Sequence, residues 1–136
     1  MSLPITAIFA GLNAILLFYL SFRVVAYRRA NRVAFGDQDD KNLVRLMRGQ
    51  ANAAEYMPMS MILLGLSEGM GAPGWTVGLL GGLLFAGRLM HGLYFANPGL
   101  LHFRFRVIGM HLTFWPMLLA ASGLIGHGAL TLLGGA

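Results

Sequence analysis

The chain has 136 residues, of which 57% are hydrophobic and only 11% charged, against roughly 25% charged residues in soluble domains; water is therefore excluded as its main solvent. Ten Lys and Arg against five Asp and Glu leave a formal net charge of +5, but these cations flank apolar segments, where membrane topology accounts for them, and no soluble nucleic-acid module carries the charge. Cysteine is absent, which excludes disulfides, thiolate metal sites and oxidoreductases that need a cysteine pair.

A spanning helix takes about 20 apolar residues at about 1.5 Å each, so residues 1–136 hold four spans and little else. The expected fold is a single all-α integral membrane domain, a four-transmembrane-helix bundle with spans near 2–27, 42–67, 74–96 and 106–126. The first 22 residues carry no charge, and neither a preceding basic stretch nor a small-residue cleavage site is present; the segment reads as a permanent span rather than a secretory signal. It ends in Arg23, Arg28, Arg29 and Arg32, followed by the turn-like run Gly36-Asp37-Gln38-Asp39-Asp40, a loop expected in the cytoplasm.

Span two carries Glu55 midway and is expected to bend at Pro58, which removes a backbone donor. The connection Glu68 to Gly74 holds no Lys or Arg and so belongs on the opposite side, with Trp75 as an interfacial anchor. Span three repeats glycine at Gly78, Gly81, Gly82 and Gly87, a spacing that lets helices approach closely in lipid. Asn97-Pro98-Gly99 then turns the chain toward His102, Arg104 and Arg106 before span four. This asymmetry predicts both termini on the non-cytoplasmic side.

An ionised side chain at mid-span costs about 2.5 to 3.5 kcal/mol on insertion scales, so each requires a partner or a watered cavity. Arg48, Asn52 and Glu55 fall within about 60° of arc on one face of span two. Tyr56 borders this stripe, whereas Gln50 points toward another helix or subunit. Arg88 and His91 lie one turn apart near the same end of span three. With Arg106 they form a cationic, donor-rich set containing one carboxylate, suited to a small anion that also bears an ammonium. A structural alternative has the arginines snorkelling to the interface and Glu55 pairing with one of them. His102, His111 and His127 read as interfacial or packing residues, the methionines as gap-filling or lipid-facing, and Asn13 as an amide bonding a neighbouring helix.

The run Arg48-Gly49-Gln50-Ala51-Asn52-Ala53-Ala54-Glu55-Tyr56-Met57-Pro58 resembles the signature of the MAPEG family, the membrane-associated proteins in eicosanoid and glutathione metabolism. Arg28-Arg29-Ala30-Asn31-Arg32-Val33 also matches, and Gly87-Arg88-Leu89-Met90-His91 and Arg104-Phe105-Arg106-Val107-Ile108-Gly109-Met110 are similar to its bacterial branch. The resemblance implies a homotrimer in a bacterial inner membrane, with glutathione bound between protomers near the cytoplasmic face. By analogy Arg48, Gln50, Asn52, Glu55 and Tyr56 would hold its polar ends, Arg28 or Arg29 would assist at the rim, and Arg88 would line the site. Arg106 would face the sulfur, with Arg104 as the fallback. Where several family members carry tyrosines at the end of helix three, this chain has His91, Tyr94 and Phe95, and His91 is the candidate replacement donor.

The implied activity is that of a detoxification enzyme, a transferase or peroxidase in which the glutathione thiolate attacks a lipophilic electrophile or hydroperoxide from the bilayer. Glutathione is the cosubstrate and no metal is expected. Two other readings are a non-catalytic lipid-binding or scaffold protein of the same fold, and a small proton-coupled transporter switching on Glu55. A heme protein would need facing imidazoles, for which His91 and His111 lie near the same side.

Overall fold

Four helices account for most of residues 2–134, which the computed structural model describes: α1 (Pro4–Ala30), α2 (Lys41–Gly69), α3 (Gly74–Ala96) and α4 (Phe103–Gly134). No strand occurs among the described residues. Met1, Gly135 and Ala136, on which the expected placement of the chain ends falls, lie outside them.

Each boundary has a local cause. Pro4 opens α1, where a missing amide proton costs nothing, but Leu3 supplies no side-chain cap. The Glu68 carboxylate does so from the far end of α2, accepting from the Ile5 and Thr6 amides at 3.0 and 2.7 Å. An anion there satisfies orphan donors and complements the helix dipole. Asp40 caps α2 through the Asn42 and Leu43 amides at 2.8 and 3.3 Å. The Tyr27 hydroxyl also donates to Asp40, at 2.8 Å, and holds its carboxyl below the ordinary value of 3.8. One loop is thereby tied to two helix ends.

The helices outrun the apolar segments, most of all α4, whose 32 residues continue past residue 126 to Gly134. α2 runs unbroken through Pro58, and α4 through Pro116. Three helices, α1, α3 and α4, are long and apolar enough to cross a membrane. α2 has the length, roughly 43 Å at 1.5 Å per residue, but Lys41, Arg45, Arg48 and Glu55 interrupt its first half.

α3 packs against the other three helices, most extensively α4, while α1 and α4 do not touch. Leu16 and Leu20 of α1 meet Ala53 and Met57 of α2 and Ala96 of α3 in the apolar core. Large apolar side chains such as Ile15, Phe18, Leu119 and Ile125 are exposed, the inverse of a soluble surface and the pattern that hydrocarbon favours. The α3 to α4 crossing is close enough for bare backbones alone: a Cβ on Gly87 would lie 2.7 Å from the Gly109 carbonyl oxygen, and one on Gly109 would lie 2.8 Å from that of Gly87. Gly81 accommodates the Phe9 ring, whereas Gly78 and Gly82 face open space. Of the four glycines whose spacing suggested close approach, Gly81 and Gly87 therefore serve it and Gly78 and Gly82 do not.

Candidate functional site

The tight crossing decides what lies beside it. Arg88 follows Gly87 and is only 1% exposed, so it does not snorkel. Its Nε donates to Thr113 Oγ1 at 2.9 Å, its Nη1 to Asn52 Oδ1 at 2.7 Å and its Nη2 to Met110 Sδ at 3.3 Å. Its guanidinium also stands 5.3 Å from the centre of the Tyr56 ring, which in turn meets Phe114 edge-on. α2, α3 and α4 are thus joined by one buried cation, each of whose three nitrogens donates to a partner within the protomer, none of them Glu55.

In front of this knot lies a cavity of about 260 Å³ lined by Arg48, Ala51, Asn52 and Glu55 of α2, His91 and Phe95 of α3, and Arg106 of α4. His91 is buried and meets the Phe95 ring at a tilt, with a ring separation of 5.0 Å. The Arg106 guanidinium lies 5.4 Å from the centre of the Phe95 ring and 5.6 Å from that of Phe103, geometry within reach of the aromatic quadrupole. Arg48, Glu55 and Arg106 are solvent-facing in the protomer and Asn52 is half-buried. Two guanidiniums and one carboxylate therefore point into a shared space with their recognition atoms available.

The remaining predicted residues fall on either side. Gln50 and Arg28 line an adjoining cavity of about 480 Å³ that shares Arg48 and Ala51 with the first. Arg28 and Arg29 line a third, of about 440 Å³, together with Arg32. Arg28 also donates to Met47 Sδ at 3.3 Å. The second hollow thus shares Arg48 and Ala51 with the first and Arg28 with the third, so that arginines recur from the end of α1 along the first half of α2. Arg104 stands apart: it is exposed and its backbone amide donates to His102 Nδ1, so of the two arginines opening α4 it is Arg106 that reaches the cavity. Tyr56 and Arg88 support the cavity from behind and do not line it.

Several polar residues have duties that the sequence reading did not foresee. Arg45 donates to the Tyr94 carbonyl oxygen and stacks over the Tyr94 ring at 4.7 Å, a cation placed at the carbonyl end of α3. It shares the helical face of Arg48 and Asn52, so its periodicity held a usable signal. Arg23 donates to Tyr19 Oη at 3.0 Å and to Asn97 Oδ1 at 2.9 Å, tying α1 to the turn after α3. Asn13 bonds chiefly within its own helix, to Phe9 O at 2.8 Å, with a longer contact to Met61 Sδ of α2 at 3.8 Å. Thr113 has no sequence signature, because a threonine in an apolar helix is ordinary.

No cluster of three or more His, Cys, Asp or Glu suited to a metal ion occurs among the described residues. What fold and site define is an all-helical membrane protein with a polar, mostly cationic cavity drawn from three helices. The chain belongs to the MAPEG family, whose model matches residues 6–126. It is 41% identical over 115 residues, 85% of this chain and 86% of the relative, to "Inner membrane protein YecN" of Escherichia coli strain K12. A protein of the same name from a second E. coli strain matches with the same identity and coverage.

Proposed function

We propose that this protein is a glutathione-dependent transferase or peroxidase of a bacterial inner membrane, acting on lipophilic electrophiles or hydroperoxides. The family includes enzymes of this kind, and the observation that carries the reading is the single cavity onto which Arg48, Asn52, Glu55, His91 and Arg106 converge. Glutathione has two carboxylates for the arginine forks and an ammonium for Glu55, and charge-assisted bonds of this type are the strong ones. Gln50, Arg28 and Arg29 line the other two hollows and would steer or hold the outlying carboxylate.

The cavity is smaller than the roughly 300 to 1,000 Å³ common for small-molecule pockets and opens on the protomer surface, which supports a site completed by a neighbouring copy. α2 presents Ala51, Met59, Ile62 and Leu66 outward at helical spacing, an apolar face suited to packing against the same helix in a homotrimer. All four helices would then cross the bilayer, with α2 shielded inside the assembly, both chain ends outside and the site near the cytoplasmic face, as the distribution of cations favours.

A thiol of reference pKa about 8.5 is mostly protonated at neutral pH, and a guanidinium beside it in a low-dielectric site favours the thiolate. Arg106, which lines the cavity, would take that position, and His91 on the same wall would serve as a nearby hydrogen-bonding group. The sulfur then attacks the electrophilic carbon, forming the C–S bond as the leaving group departs with its electron pair. On a hydroperoxide it attacks the distal oxygen and releases the alcohol, and a second glutathione completes the reduction with formation of disulfide and water.

Calorimetry of glutathione with the detergent-purified protein tests the binding set. Wild type is expected to bind, with Arg48→Ala and Glu55→Ala each weakened about tenfold or more, in line with losing a charged hydrogen bond. Absence of binding by wild type would overturn the proposal. Thiolate absorbance on glutathione addition tests Arg106 separately: equal signals from wild type and Arg106→Ala would remove that residue from the mechanism.

A further inference from the structure

We propose that Thr113, remote from the cavity wall, is a positioning residue that acts through Arg88 to fix which way the Asn52 amide faces. The inference rests on the glutathione reading above and assigns to the cavity a donor whose direction is set two residues away.

Thr113 is fully buried, and its hydroxyl proton goes to the Gly109 carbonyl oxygen at 2.8 Å. Its lone pairs are thereby left for Arg88 Nε, 2.9 Å away. A guanidinium carries donors only, so Arg88 Nη1 at 2.7 Å demands the oxygen of Asn52 and forbids the flipped amide. The Asn52 NH2 group must then be presented away from Arg88. Asn52 lines the cavity, and its amide nitrogen is not among the buried polar atoms lacking a partner, so that nitrogen keeps exposed surface with which to serve the cavity. The cavity thereby shows the donors of Arg48, Arg106 and the Asn52 amide, beside the His91 ring, against the lone carboxylate of Glu55. This bias selects a carboxylate-bearing ligand at the Asn52 end.

The geometry is also rigid. Gly109 is at once the acceptor for Thr113 and the point at which the α3 and α4 backbones touch, so the hydroxyl that orients Arg88 is anchored at the least compliant place in the bundle. A role in packing alone would not require the hydroxyl to bridge that carbonyl and the guanidinium.

Glutathione affinity of detergent-purified full-length variants tests the proposal. Thr113→Val keeps the shape but removes the acceptor, and is expected to weaken binding about tenfold, the equivalent of one lost hydrogen bond. Thr113→Ser restores the acceptor and should bind as wild type does. In an Asn52→Ala background Thr113→Val should cause no further loss, since the amide through which it acts is gone; additive losses, or unchanged affinity of Thr113→Val alone, would overturn the positioning role while leaving the functional reading intact. Should the valine variant fail to assemble, Asn52→Asp carries the test: it keeps an acceptor for Arg88 but offers no donor to the cavity, so affinity equal to wild type would overturn the proposal. Failure of wild type itself to bind glutathione would overturn the functional reading and this inference together.

Discussion

The two ends of the bundle enclose hollows of similar size and opposite character. Near the start of α2 the cavity of about 260 Å³ is walled by two arginines, a glutamate, a histidine and an asparagine. At the other end a cavity of about 320 Å³ is walled mainly by apolar groups such as Met70, Pro73, Val77, Leu80 and Leu119, with His127 among its few polar ones. The acid nearest the apolar end, Glu68, is taken up in capping α1. At the polar end the residues divide: Arg88, Arg45 and Arg23 are committed to bonds between helices, while Arg48, Glu55 and Arg106 face the cavity. The contrast teaches that a polar residue in a membrane bundle is informative about function only after its structural commitments have been subtracted.

Variants that separate these two kinds of residue sharpen the comparison. The largest effect is expected at the crossing itself. Gly87→Val would drive a side chain into the Gly109 carbonyl and Thr113, and because backbone cannot swing aside the cost should exceed the ordinary overpacking penalty of about 1 to 3 kcal/mol; loss of the folded peak in size-exclusion chromatography is the readout. Next comes Arg88→Met, which leaves the Asn52 carbonyl oxygen without its donor and Thr113 with only its bond to Gly109. Unsatisfied buried groups cost about 1 to 3 kcal/mol each, so the thermal midpoint should fall by several degrees. A midpoint equal to wild type would erase the distinction between committed and available arginines.

Arg48→Ala should do the reverse. Exposed substitutions away from packing stay within about 0.5 kcal/mol of wild-type stability, so its thermal midpoint should be unchanged while glutathione affinity drops. Glu68→Gln, at the apolar end, removes a charge from the α1 N-terminus and should cost about 0.3 to 1 kcal/mol, measurable as a small shift in midpoint with no effect on ligand binding. The smallest effect concerns pH. The Tyr27 hydroxyl depresses the Asp40 carboxyl below 3.8, so the ionised cap is fully present above that value and is lost as the pH falls through the lower, folded value. Tyr27→Phe removes the depressing bond and should move the acid loss upward toward 3.8, seen in helical signal followed from about pH 5 to about pH 3.

Helix number, the polar stripe of α2 and the connection of Glu68 to Gly74 were legible from periodicity and charge, because a spanning segment must be apolar over its length and every departure stands out. Arg48, Asn52 and Glu55 were assigned to one face by angle alone, and they line one cavity. Arg88 was assigned to the same set by its depth in span three and Tyr56 as bordering the stripe, and in the protomer both stand behind the wall. Their distance from the cavity depends on how closely α3 meets α4, which Gly87 and Gly109 set only as a pair. Glu68 likewise gave no sign of reaching α1, since nothing local connects residues more than sixty positions apart.

Sequence by itself determined the solvent of this chain, its helices and the family whose motif it carries, all of which follow from composition and from patterns within a few turns. Tertiary structure alone decided which cations are spent in holding helices together and which remain available in the cavity. That division depends on distances between atoms on different helices, and a hydrogen bond exists or not over a few tenths of an ångström.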